Sequence, residues 1–98
     1  MGRSSGPKRS RMELYAEVLE VITHYPEGAR ITKLSYGVGV PVDRLKLLVE
    51  KLCSFGLTRR TTDEDETYYG VTPRGLEFLD AYFKIQGFLE EFGEKKGV

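Results

Sequence analysis

Basic side chains crowd the middle of this 98-residue sequence. Residues 30–62 carry seven Lys and Arg side chains against only Asp43 and Glu50. Guanidinium and ammonium groups bind phosphate oxygens, and Arg also pairs with the edge of guanine. The block therefore predicts a surface that binds a polyanion. Its members are Arg30, Lys33, Arg44, Lys46, Lys51, Arg59 and Arg60.

The rest of the charge is also grouped, although the formal net charge is zero. Residues 1–11 are rich in Gly, Ser and basic residues, including Arg9 and Arg11, and lack apolar periodicity. They predict a flexible arm that can follow a nucleic-acid groove. Residues 63–66 read Asp-Glu-Asp-Glu and form an acidic block. Because the potential near a surface is local, these blocks matter more for binding than the total.

Catalytic and metal-binding chemistry has little support in the sequence. His24 and Cys53 are the only residues of their types. Neither has the partners that a nucleophile, a general base or a metal site requires, so we expect no enzymatic activity, metal or cofactor. The sequence also lacks a signal peptide and an apolar run of membrane-spanning length. We therefore expect a cytoplasmic, nucleoid-associated protein with no membrane partner.

Turn residues and periodicity divide the chain into six elements. Apolar spacing predicts helices over residues 12–25 and 31–36, the second capped by Thr32 or a neighbour. Glycines at 37 and 39 break that helix, and a third helix begins with Pro41 in its first turn and runs to residue 55. Two β-prone runs, 57–62 and 67–72, surround the acidic block and predict a hairpin. A last helix begins at Pro73, with Thr72 as its N-cap.

This order is typical of a winged helix-turn-helix, an α+β and mainly α fold of three helices and a β-hairpin wing. The second and third helices are joined by a few residues with glycine, as the motif requires. A long C-terminal helix is added and is predicted to form a dimer. We expect a flexible basic arm over 1–11, the winged helix-turn-helix domain over 12–75, and the dimerisation helix and tail over 76–98.

The last helix carries two apolar stripes. Leu76, Leu79 and Phe83 are spaced to cover the core of the domain. A second stripe has the alternating spacing of three and four residues that forms a coiled-coil seam, and it outlasts the first. We expect it to form a homodimer, with folding back onto the first helix as the alternative. The members of the predicted seam are Phe78, Tyr82, Ile85, Leu89 and Phe92.

The third helix is the predicted recognition helix for double-stranded DNA. Its exposed N-terminal half would enter the major groove with Val42, Arg44, Lys46 and Leu47. Backbone contacts are expected on both sides and along the helix. These are assigned to Arg30, Lys33, Lys51, Arg59 and Arg60 and to Arg9 and Arg11 of the arm. Taken singly, each of these charges could equally be a solvated surface residue.

The acidic block opposes this interpretation, because four carboxylates at the tip of the wing would repel DNA. Either the wing is held away from DNA, or the domain is a protein-interaction module of a transcription or replication complex. The same charges could also simply keep the tip soluble. A possible protein partner through the acidic wing therefore stays open beside DNA.

Residues 31–57, ITKLSYGVGVPVDRLKLLVEKLCSFGL, resemble an archaeal family of small winged-helix proteins. The likeness lies in Thr32-Lys33-Leu34, in Tyr36 before the turn, in Leu45-Lys46, and in the stretch from Leu52 to Gly56-Leu57. Residues 68–79, YYGVTPRGLEFL, resemble that family's strand, its Thr-x-x-Gly helix start and its dimer helix.

The resemblance implies a homodimer that binds double-stranded DNA as a chromatin protein or transcriptional regulator. Its members dimerise through an antiparallel coiled coil of the last helix. Carried over by position, Lys33, Tyr36, Arg44 and Lys46 fall on the DNA-facing surface. Three features depart from the family pattern. They are Leu47 in place of a second basic residue, Gly39 in place of the common Asn, and the acidic wing tip.

Overall fold

The first helix, α1 (Arg11–Thr23), begins with a complete capping box in the computed structural model, which describes residues 9–93. The Ser10 hydroxyl accepts a hydrogen bond from the Glu13 amide, and the Glu13 carboxylate accepts one from the Ser10 amide. This reciprocal pair satisfies two amides that a helix start leaves free. Arg11, placed in the flexible arm by the sequence, is therefore the first residue of α1. Residues 1–8 of the predicted arm lie outside the described residues.

The helix-turn-helix consists of α2 (Ile31–Val38) and α3 (Val42–Ser54). The second helix begins at Ile31, as predicted, but its N-cap is Arg30 rather than Thr32. The third helix begins one residue later than predicted, because Pro41 is its N-cap rather than its first residue. Gly39 adopts the left-handed conformation, with φ of 78°, and ends α2. Since an L-residue with a side chain rarely adopts this conformation, glycine suits the turn.

The wing is an antiparallel hairpin of β1 (Thr58–Asp63) and β2 (Glu66–Val71), which confirms the predicted hairpin. The acidic block is split by the register, because Asp63 pairs with Glu66 while Glu64 and Asp65 form the turn. Both turn residues have positive φ, 49° and 68°. A two-residue turn of this kind matches the twist of the strands but favours Asn and Gly over Glu. A further bridge pairs Ala29 with Tyr69 and ties the wing to the start of α2.

The core lies where the first three helices meet the wing and the start of the last helix. Val18, Leu19, Ile22, Leu34, Leu45, Val49 and Leu52 are its fully buried members. The buried residues of α3, Leu45, Val49 and Leu52, recur at four- and three-residue intervals and so lie on one side of the helix. The packing of one face of α3 fixes which side chains its opposite face presents to solvent.

The last helix, α4 (Pro73–Glu91), starts at a joint between three elements. The Thr72 hydroxyl accepts a hydrogen bond from the Gly75 amide and donates one to the Gly56 carbonyl beyond the end of α3. A side chain at Gly75 would come within 2.3 Å of the Leu57 carbonyl oxygen and 2.7 Å of a Val71 methyl. Only glycine therefore lets α4 approach the root of the wing this closely.

The structure divides the two apolar stripes of α4 differently from the prediction. Leu79 is buried as expected, but Leu76 and Phe83 are about half exposed. Phe78 and Tyr82, assigned to the dimer seam, instead pack against the domain's own core. Burial, followed by the charges of three α1 glutamates, raises the pKa of Tyr82 above its ordinary value. The predicted alternative, folding back within the domain, thus describes the first half of the seam.

Candidate nucleic-acid interface

The solvent-facing side of α3 carries a continuous polar and basic surface. Leu45, Val49 and Leu52 are buried, so the opposite side of the helix faces outward. Leu47 stands at the middle of this side and is 74% exposed. Val42, at the first position of α3, is half-buried. The polar side chains of this face are Asp43, Arg44, Lys46, Glu50 and Lys51.

The outer side of α2 continues this surface. Tyr36 is 93% exposed, the largest exposed fraction among the large apolar and aromatic side chains of residues 9–93. Lys33 lies one turn before it and is also exposed. A tyrosine in this position offers a flat ring and a hydroxyl to a partner while contributing nothing to the core. The exposed sides of α2 and α3 together form one surface, which we call the helix-turn-helix face.

One edge of this face borders α1 and contains a cleft of about 400 Å³. The cleft lies between the first turns of α1 and the length of α3, and we call it the α1–α3 cleft. Its lining combines basic groups with an apolar floor, and no Asp or Glu belongs to it. The lining residues are Arg9, Arg11, Leu14, Tyr15, Arg44, Leu47, Leu48 and Lys51.

The other edge borders the wing, where the basic groups are already paired. The Arg30 side chain lies 3.0 Å from a Glu66 carboxylate oxygen, and Arg60 forms an ion pair with Glu50 of α3. The hydrogen bond and charge of Glu50 raise the pKa of Arg60. Arg59 donates a hydrogen bond to the Val71 carbonyl. The three wing-side arginines are thus engaged within the domain.

A smaller cleft of about 280 Å³ lies beneath the wing and shows the same neutralisation. Arg30 and Lys46 line it together with Asp65 and Glu66. Tyr69, also in its wall, is buried in the core, and this burial raises the pKa of its hydroxyl. Carboxylates therefore accompany the basic groups on the wing side, whereas none lines the α1–α3 cleft.

The predicted binding residues accordingly fall into two groups. Arg9, Arg30, Arg59 and Arg60 bond to a carboxylate or carbonyl of the domain; Arg9 pairs with Glu17 and donates to the Val38 carbonyl. The second group forms no ion pair with another residue of 9–93. It comprises Arg11, Lys33, Arg44, Lys46 and Lys51.

Sequence reasoning missed two parts of this arrangement. It did not foresee that Arg11 lines the same cleft as Arg44 and Lys51, since these residues lie on different helices, far apart in the sequence. It also treated the four acidic residues as one tip, whereas Glu66 turns back to Arg30.

This geometry defines a winged helix-turn-helix domain, and the chain belongs to the winged helix-turn-helix family. The family model matches residues 8–90. The DNA-binding protein Sso10a-2 from Sulfolobus solfataricus has a similar structure, with a TM-score of 0.71 and 23% identity over 87% of this chain and 90% of that one. No curated protein sequence matches the chain.

Structures of bacterial regulators are similar to the domain but longer. MepR, a transcription regulator of the Staphylococcus aureus multidrug efflux pump MepA, superposes with a TM-score of 0.71 and 17% identity over 81% of this chain. The match covers 60% of MepR. A point mutant of MepR bound to an oligodeoxyribonucleotide gives a TM-score of 0.69 over the same shares. At these identities the likeness concerns the fold.

Membrane-spanning and metal-binding features are absent from residues 9–93. No helix in this range combines the length and apolar character needed to cross a membrane. No group of three or more His, Cys, Asp or Glu side chains there is placed to hold a metal ion. The single thiol, Cys53, is half-buried and lies 2.9 Å from the Thr58 hydroxyl.

Proposed function

We propose that this protein is a homodimer that binds double-stranded DNA, without catalysis, as a transcriptional regulator or a chromatin-associated protein at the nucleoid. The proposal rests on the exposed basic side chains of the helix-turn-helix face. Arg44 and Lys46 extend from α3 without an ionic partner among residues 9–93, beside the exposed Leu47. Basic groups at this position in a helix-turn-helix reach phosphates and base edges in the major groove.

The remaining residues have supporting roles in this proposal. Lys33 and Tyr36 on α2 would contact the backbone beside the groove, and Leu47 would touch a thymine methyl group. Arg30, Arg59 and Arg60 would contribute only after exchanging a partner inside the domain for a phosphate. We therefore expect the α3 residues to dominate affinity and the wing residues to contribute less.

DNA binding is tested by titrating a fluorescent duplex and following its anisotropy. Because each Lys or Arg contact releases counterions, affinity should fall at least about tenfold between about 50 and 200 mM salt. Arg44→Ala and Lys46→Ala should each weaken binding by about 1–3 kcal/mol. Arg74→Ala, which removes an exposed charge at the start of α4, is the matched control. Absence of binding at the lower salt concentration would contradict the proposal.

Dimerisation through the second half of α4 is supported by apolar groups that the domain leaves in solvent. Ile85, Phe88 and Phe92 are 48%, 56% and 70% exposed and lie along one side of the helix. The rings of Phe88 and Phe92 stack with centroids 6.2 Å apart, which forms a flat apolar surface. Leu89 is half-buried beside them. We propose that a second copy of the chain covers this stripe.

The expected strength of the dimer follows from the exposed area. Full burial of one large apolar side chain gains roughly 1.5–3 kcal/mol, so covering the exposed half of three side chains on two copies yields about 7 kcal/mol. Loss of translational and rotational freedom opposes this with about 4 kcal/mol or more. The dimer should therefore depend on concentration.

Light scattering across the micromolar range tests the dimer. Wild-type protein should approach twice the chain mass, and the double variant Ile85→Glu, Phe88→Glu should remain a monomer. Gly87→Glu also adds a carboxylate to this part of α4, but Gly87 lies on the side of the helix opposite the stripe and a side chain there meets no atom within 4 Å, so this variant should still dimerise. A wild-type mass equal to one chain at all concentrations would refute the homodimer.

A protein-interaction module is the second candidate, favoured by the wing. Glu64 and Asp65 form its exposed turn, and Arg30 and Arg60 beside the wing are paired with Glu66 and Glu50. Such a wing suits a basic protein surface better than a phosphate backbone. Failure to bind duplex at low salt would favour this candidate. Selection of fragments from random duplexes separates the two DNA-binding roles, because only a sequence-specific regulator enriches a common site.

A further inference from the structure

The α1–α3 cleft collects positive charge at one edge of the helix-turn-helix face. Arg11, Arg44 and Lys51 line it and are exposed. None of them forms an ion pair with another residue of 9–93, and no carboxylate belongs to the lining. Like charges held together in a concave surface raise the local potential and attract an anion.

Side chains rather than helix amides would hold the anion. The amide of Glu13 is satisfied by the Ser10 hydroxyl, and the Glu13 carboxylate occupies the N-terminal end of α1. Arg9 contributes less charge than its position suggests, because its guanidinium pairs with Glu17. The candidate ligands are therefore Arg11, Arg44 and Lys51, above an apolar floor of Leu14 and Leu48.

The position of the cleft indicates which molecule supplies the anionic group. Arg44 and Leu47 line the cleft and also belong to the exposed side of α3, so the cleft is continuous with the proposed DNA-binding face. On the opposite edge, Glu66 and Glu50 neutralise Arg30 and Arg60. A polyanion lying on α3 would therefore be attracted to the α1 edge and repelled by the carboxylates of the wing turn.

We infer that a backbone phosphate of the bound duplex occupies the α1–α3 cleft, held by Arg11 and Lys51, and that α1 rather than the wing supplies the flanking contact beside α3. This inference rests on the proposed DNA binding. The apolar floor accommodates the deoxyribose next to the phosphate. The duplex leans toward the N-terminus of α1 and away from the acidic turn of the wing.

Salt titrations of single variants test the cleft. Arg11→Ala and Lys51→Ala should each lower duplex affinity about fivefold at about 100 mM salt, since a partly exposed charge pair contributes about 1 kcal/mol. Each should also reduce the slope of log affinity against log salt by about one, as loss of one phosphate contact does. Arg74→Ala should change neither quantity. Circular dichroism checks that the variants, all at exposed sites, are folded.

Duplexes with one uncharged methylphosphonate linkage give an independent test. At one linkage, neutralisation should weaken wild-type binding about fivefold and weaken binding of the Arg11→Ala variant less, because one of the two contacts to that phosphate is already lost. Wild-type and Arg11→Ala proteins that respond alike at every linkage would overturn the inference.

Lys46→Ala separates the cleft from the function on which it depends, because Lys46 lies outside the cleft. If Lys46→Ala weakens binding while Arg11→Ala and Lys51→Ala leave affinity and slope unchanged, the cleft inference is wrong and DNA binding stands. If wild-type protein binds no duplex, both fail. Inorganic phosphate that shifts the NMR signals of the cleft and is not displaced by duplex would instead assign the cleft to a small anion, against the inference.

Discussion

The two edges of α3 carry similar basic residues in different electrostatic surroundings. On the wing edge, Arg30 and Arg60 pair with Glu66 and Glu50. On the α1 edge, Arg44 and Lys51 line a cleft without a carboxylate. The wing edge is thus committed to interactions inside the domain, whereas the α1 edge keeps its charge for a partner. A basic residue on a binding face can therefore attract an anionic partner only to the extent that no acidic residue of its own domain already neutralises it.

The largest expected effect is a loss of stability at Gly75, where α4 packs against Leu57 and Val71 at the base of the wing. Gly75→Ala would bring a methyl group to 2.3 Å from the Leu57 carbonyl oxygen. We expect a loss of about 2–4 kcal/mol in the free energy of unfolding, since backbone must move to make room. Urea denaturation measures this loss.

Gly87→Ala is the matched control within the same helix. A side chain at Gly87 meets no atom within 4 Å. It should raise the free energy of unfolding by up to about 1 kcal/mol, because alanine favours a helix over glycine. Equal effects at Gly75 and Gly87 would contradict the close approach of α4 to Leu57 and Val71.

The second-largest effect should distinguish the two edges of α3 by their contributions to duplex affinity. Arg44→Glu should lower duplex affinity by about 2–3 kcal/mol, since it replaces an attraction to phosphate by a repulsion. Arg60→Glu should have a smaller effect, because Arg60 already pairs with Glu50. Anisotropy titrations at one salt concentration compare the two. A larger loss for Arg60→Glu would reverse the assignment of the edges.

The smallest expected effect is a gain in duplex affinity. Glu66→Gln removes the carboxylate 3.0 Å from Arg30 and should free this arginine for a phosphate. We expect duplex affinity to rise by up to about 1 kcal/mol, the usual upper range for an exposed ion pair, in the same anisotropy titration. Glu77→Gln on α4 removes one exposed carboxylate elsewhere and controls for the change in total charge. Equal gains for both variants would mean that only total charge matters.

The architecture could be predicted because local signals mark the ends of each element. Gly39 and Gly56 follow helix ends, Thr72 caps α4, and the β-prone runs flank the acidic turn. The helix-turn-helix and its wing follow from this order. The exposed side of α3 was also predictable, since the spacing of Leu45, Val49 and Leu52 fixes it.

The division of α4 could not be predicted, because its two apolar stripes are neighbours on one helix. Helical spacing alone does not say which stripe turns inward. The close contact at Gly75 decides this, and it places Phe78 and Tyr82 toward the core while Leu76 and Phe83 stay half exposed. That contact joins the start of α4 to Leu57, just before β1, and to Val71 at the end of β2, so it depends on the assembled domain.

Charge pairing was beyond sequence reasoning for a similar reason. Glu66 of β2 pairs with Arg30 at the N-cap of α2, and Glu50 of α3 pairs with Arg60 of β1. The sequence separations of these pairs carry no helical or strand periodicity. The charge blocks were visible in the sequence, but the distinction between engaged and free arginines needed the folded arrangement.

The hydroxyl of Thr72 holds the exit of α3 and the entry of α4 in one hydrogen-bonded joint. If two chains associate through the end of α4, this joint fixes the position of α3 relative to α4. The distance between the two α3 helices then depends on how far along α4 the contact between the chains lies. A helix advances about 1.5 Å per residue, so moving the contact by about seven residues would displace the two reading helices by about 10 Å, or roughly three base pairs. The length of α4 would then set the gap between the two halves of a palindromic operator.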